Sequence, residues 1–147
     1  MYNISEKFKK GWVIKMSNLE KQKELAKEAV KLIKEFKKEA SIVSENSFKS
    51  IKIKKGGSII EIDDFYEGIR EYNLNEISSV LEFEMRGFGP CSAGFYEAIE
   101  EEESNIKSDF NKYTKNEFKK LIGNLKYVEC RCEEIYNRLG EIEKEAE

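Results

Sequence analysis

At 147 residues the chain is about one domain long, and its 39% hydrophobic and 12% aromatic content is enough for a buried core. Charged residues reach 37% with a formal net charge of −3, but the aromatic content excludes a disordered tail. No apolar run approaches the roughly 18 residues of a transmembrane helix, and Lys7, Lys9 and Lys10 followed only by Trp12-Val13-Ile14 fall short of a signal-peptide core. The expectation is a cytoplasmic protein without a membrane association, acting in the host cytoplasm if a phage encodes it.

Residues 1–15 read as an optional leader before Met16 or, preferably, as a source of one further strand, Trp12-Val13-Ile14. Ser17-Asn18-Leu19-Glu20 has the form of a capping box, predicting a helix over 17–43 with Leu25, Ala29, Leu32, Phe36 and Ala40 along one stripe. A β-hairpin over 48–63 follows, turned on Lys55-Gly56-Gly57, with Ile51 and Ile53 alternating with Lys52 and Lys54. Short helices are expected over 64–87, one capped by Asp63 or Asp64 and running through Tyr72. The next starts at Asn73 or Asn75 and carries Ile77, Val80, Leu81 and Met85 to Gly87.

A helical hairpin over 92–146 completes the chain. Its first arm opens at Ser92 and carries Phe95, Ile99, Ile106, Phe110 and Tyr113; its second opens at the capping box Thr114-Lys115-Asn116-Glu117. Along that second arm Phe118, Leu121, Leu125, Val128, Cys132, Ile135, Leu139 and Ile142 alternate steps of three and four, the pattern of a coiled-coil seam. At 1.5 Å per residue it runs roughly 45 Å against roughly 30 Å for the arm before it. The excess must be met by the first helix or by a second copy, and Val128, Cys132, Ile135, Leu139 and Ile142 are the expected interface of an antiparallel homodimer. The fold class is therefore α+β, mainly α: a single domain with a long-helix bundle, a coiled-coil-like C-terminal helix, and a small β-hairpin or three-stranded antiparallel sheet.

Between the short helices and the hairpin lies Gly89-Pro90-Cys91-Ser92-Ala93-Gly94-Phe95-Tyr96-Glu97, of which Cys91 to Gly94 resembles the loop of the protein tyrosine phosphatases. That resemblance implies a thiolate nucleophile, loop amides cradling phosphate and an arginine clamping its oxygens. Here Pro90 stands at the histidine position and Glu97 at the arginine position, and the chain has no histidine. A carboxylate at Glu97 would repel the phosphate dianion, so the stretch reads as helix caps and a turn. No catalytic residue, metal site or cofactor is expected. Of the three cysteines, Cys130 and Cys132 lie two apart on a helix and face different ways, with Cys132 read as a small core residue.

Charge is segregated along the chain. Residues 1–58 hold fifteen lysines against seven acids, 59–104 two arginines against thirteen acids, and the remainder nine of each. The acidic extreme, Glu97 with Glu100, Glu101, Glu102 and Glu103, reads either as a solvated helix face or as a surface for a basic partner. Three functions compete. The first is a non-catalytic protein–protein interaction module, by analogy an inhibitor of host defence machinery from a phage or mobile element. Such an inhibitor docks its acidic surface or helical bundle onto a protein such as a host nucleic-acid-binding effector. The second is a nucleic-acid or anionic-ligand binder using Lys49, Lys52, Lys54 and Lys55 with lysines of the first helix. An enzyme ranks third, because the acids show no spacing that singles out a site.

Overall fold

The computed structural model describes residues 4–43, 46–54, 56–87 and 94–147, with side chains described from Asn18 onward except at Phe83. Helix α1 (Ile4–Ala40) leads to strands β1 (Phe48–Ile53), β2 (Ile59–Asp64) and β3 (Gly68–Asn73), then to α2 (Ser79–Arg86), α3 (Phe95–Ser108) and α4 (Lys115–Glu145). The architecture is mainly helical with one three-stranded antiparallel sheet, as the sequence pattern predicts.

α1 differs from expectation at its start, since the helix passes through both Trp12-Val13-Ile14 and Ser17. A serine followed by glutamate three residues later caps a helix only if the preceding chain leaves helical geometry. Residues 4–16 contain no proline to force that exit. The third strand comes instead from residues read as a short helix. The Asp64 carboxylate accepts the amides of Tyr66 at 2.8 Å and Glu67 at 3.1 Å, the bonds a helix cap would make, but Gly68 at φ 73° turns the chain back into β3. The register then pairs Ile60 with Tyr72 and Ile62 with Arg70.

The hairpin forms where predicted, with Gly56 and Gly57 both at positive φ in its turn. A register shift between Phe48 and Ser50 breaks the simple alternation, so that Phe48 and Ile51 share the buried face with Ile60 and Ile62 while Ile53 is half-buried. This face packs on α1, whose Lys37 ammonium donates to the Lys49 carbonyl at 3.2 Å.

On its other side α1 lies antiparallel to α4. Gln22 donates to the Ala146 carbonyl at 2.9 Å, Glu28 meets Arg138 and Glu35 meets Arg131. The seam of α4 is thereby covered within one chain: Cys132, Ile135, Leu139 and Ile142 are fully buried and Val128 nearly so. These five residues are core, which corrects their assignment to a homodimer interface. The physical reason is the antiparallel register: α1 from Gln22 to Glu35 runs beside α4 from Ala146 back to Arg131, and its buried stripe from Leu25 to Phe36 covers the seam. Toward its start α4 is covered by α3, shorter than expected at 14 residues. It gives way to a 3₁₀ turn at Phe110–Lys112, where Phe110 is exposed rather than in the core.

Candidate functional site

The acidic run rides on α3. Phe95, Ile99 and Ile106 are buried and fix the helix's inner face, with the Phe95 ring centroid 6.0 Å from that of Phe36 on α1. At 100° per residue Glu97, Glu100 and Glu101 stand on the opposite side, and these three and Glu102 are exposed. Among the described residues none of those four forms an ion pair, while Glu103 is bound to Lys107 at 2.8 Å, an attraction that lowers its carboxyl pKa. The result is a band of negative charge along the outer side of α3.

The hairpin lysines are placed differently. On the outer face of the sheet Lys52 meets Glu61 at 3.0 Å and Lys54 pairs with Glu71, which raises the Lys54 pKa. Lys49 sits 4.8 Å from the centroid of the Phe65 ring, a cation–π contact. Lys55 lies outside the described residues. Among the described hairpin lysines, Lys52 and Lys54 are thus paired with carboxylates of the same sheet and Lys49 is not.

Cys91, with Gly89, Pro90 and Ser92, also lies outside the described residues. The two glycines that flank this stretch have structural tasks. Gly87 ends α2 at φ 82°, in the left-handed region. At Gly94 a Cβ would lie 2.7 Å from the Met85 carbonyl oxygen and closer still to the backbone of Arg86 and Gly87, so the start of α3 rests on the end of α2 with no room for a side chain. On α4, Cys130 is exposed and Cys132 buried, and burial pushes the Cys132 thiol up to about 12, leaving it inert.

A cleft of about 400 Å³ opens between the sheet and α2, with Phe48, Ile62, Tyr66, Tyr72 and Val80 among its walls. On one side Ser47 Oγ stands 2.5 Å from Asp64 Oδ2 and 3.2 Å from Glu84 Oε1. Burial, opposed by the Ser47 bond and reinforced by the charges of Asp64 and Glu67, raises the Glu84 pKa. Arg70 is held by Glu67 at 3.0 Å. Sequence reading missed this group because its members come from three distant segments: Ser47 falls between expected elements, Asp64 reads as a helix cap and Glu84 lies on an expected short helix. Among the described residues no three histidine, cysteine or carboxylate side chains are grouped to hold a metal, and no helix is long and apolar enough to cross a membrane. No family model, no curated protein and no solved structure matches this chain.

Proposed function

We propose that this chain is a non-catalytic interaction module whose α3 presents an acidic face to a basic macromolecule. The carrying observation is the contrast in charge use. The glutamates on the α1–α4 seam and the sheet face are bound to cations of the same chain, whereas Glu97, Glu100, Glu101 and Glu102 are exposed and form no ion pair among the described residues. A rigid helix carrying such a band steers a positively charged partner and orients it on docking. Its finer form is an inhibitor: the band occupies the positively charged channel of a nucleic-acid-binding effector in a host cell, and nucleic acid is excluded. The lysines of the hairpin favour this reading over nucleic-acid binding, since two of them already face Glu61 and Glu71. Affinity capture from extract of the source cell decides between the two. The parent retains a basic protein that the triple variant Glu97→Gln, Glu100→Gln, Glu101→Gln releases. Retention of nucleic acid by both would overturn the proposal.

A further inference from the structure

The Ser47 hydroxyl has two carboxylate oxygens within hydrogen-bond reach, Asp64 Oδ2 at 2.5 Å and Glu84 Oε1 at 3.2 Å, and a single hydrogen to give. It can donate to one of them only. Asp64 has the stronger claim, because it is the nearer acceptor and its other oxygen already accepts the backbone amides of Tyr66 and Glu67 at 2.8 and 3.1 Å. A Ser47 hydrogen given to Glu84 would favour its ionised form. With that hydrogen on Asp64, the link to Glu84 closes only if Glu84 is protonated and its O–H donates to Ser47 Oγ. With Glu84 ionised, two negative carboxylates would crowd one hydroxyl in a half-buried place.

The three residues belong to different parts of the fold. Ser47 precedes β1, Asp64 ends β2 and Glu84 lies on α2, so the chain of hydrogen bonds fastens the helix to the sheet along one side of the cleft. The other titratable or charged groups facing it are Tyr66 and Glu67 in the β2–β3 turn and Arg70 and Tyr72 on β3. Arg70 is bound to Glu67, and Tyr72, itself raised chiefly by burial, is neutral across the ordinary pH range. No cation among the described residues is bonded to Glu84. Its carboxyl is held above the ordinary value, burial being the main cause.

We propose that Ser47, Asp64 and Glu84 form a proton-dependent latch, closed when Glu84 carries its proton and loosened when that proton passes to solvent, so that α2 separates from the sheet and the cleft widens. The proposal is independent of the acidic face of α3. The sign of its contribution follows from the direction of the shift. A carboxyl held more tightly protonated in the folded state stabilises the fold fully below its unfolded value of about 4.3, and the contribution fades as pH rises through the folded value.

Carbon-detected NMR titration of the carboxyl groups in the full chain tests it. The expected result is a Glu84 midpoint above about 4.3, with the amide shifts of Ser47, Tyr66 and Glu67 moving at the same midpoint. Glu84→Gln keeps a donor for Ser47 without the charge and abolishes that shared movement. Ser47→Ala removes the bridge, so that Tyr66 and Glu67 no longer report Glu84. A Glu84 midpoint at or below the ordinary carboxylate value overturns the latch, as do Tyr66 and Glu67 amides in the parent that ignore the Glu84 transition. Both of those readings come from the parent chain and do not depend on either variant folding.

Discussion

Arg131 and Glu35, 96 residues apart in the chain, meet as a two-bond fork, Nε to Oε1 at 2.6 Å and Nη2 to Oε2 at 2.7 Å. Seven residues along each helix the pairing repeats, with Arg138 forking onto Glu28 at 2.5 and 2.8 Å. The two forks run beside the buried line of Cys132, Ile135 and Leu139 and set the antiparallel register of α1 on α4. Bidentate geometry needs the planar guanidinium, which a lysine cannot supply. Arg131→Lys is expected to cost about 1 kcal/mol by denaturant melting, and a double-mutant cycle with Glu35→Gln should show the loss to be shared.

Acid should undo the same forks. Bonding to Arg138 and to Arg131 holds the Glu28 and Glu35 carboxyls below their ordinary value. Their contribution to stability is complete above about 4.3, the unfolded value, and is lost as pH falls through the depressed folded values. The double variant Glu28→Gln, Glu35→Gln should therefore melt below the parent at pH 7 and draw level with it near pH 2. Glu84→Gln should behave in the opposite sense, melting above the parent at pH 7 and level with it below about pH 4, because its carboxyl is shifted the other way. Thermal scans across pH read both slopes.

Burial of the seam within one chain makes its loss a matter of folding and not of assembly. Ile135→Ala should cost about 2–5 kcal/mol, with a melting temperature that does not change on tenfold dilution. A midpoint that falls with dilution would return these residues to an interface between copies.

How far the fold was legible depended on how local the deciding interaction was. The seam of α4 was readable because periodicity is a property of one segment, and Thr114 caps it as expected by accepting the Glu117 amide at 3.1 Å. Its partner was not readable, because the clue lay in two segments at once: glutamates seven apart at 28 and 35, and arginines seven apart at 131 and 138, half of the four arginines in the chain. Asp64 misled because an aspartate accepting amides two and three residues on serves a helix start and a tight turn equally well, and Gly68 decides between them. The acidic band was legible as composition, and its outward direction emerged only once Phe95, Ile99 and Ile106 were seen to be buried.

Glycine substitutions should divide by sign. At Gly94 a methyl group would drive into the backbone of Met85 to Gly87, so Gly94→Ala is expected to cost about 1–3 kcal/mol through forced separation of α2 and α3. Gly123 and Gly140 lie inside α4 with nothing within 4 Å of a built Cβ. There alanine should stabilise by about 0.5–1 kcal/mol, the cost of glycine in a helix interior. The three melting curves together test whether the phosphatase-like glycine at 94 is held by packing.

The acidic face allows a test that separates recognition from folding. Gln has nearly the helix propensity of Glu, and Glu97, Glu100 and Glu101 are exposed without ion pairs among the described residues. Changing all three to Gln should leave the melting temperature within about 0.5 kcal/mol of the parent in stability terms. Binding should respond quite differently. Long-range attraction acts mainly on the encounter, so the association rate with a basic partner should fall about tenfold or more at low salt, while dissociation changes less. At high ionic strength the Debye length shrinks to about 3 Å at 1 M, and parent and variant rates should converge. Stopped-flow mixing across a salt series measures this directly. Parallel salt dependences for parent and variant would mean that the band on α3 is only solvated surface and that the partner docks elsewhere.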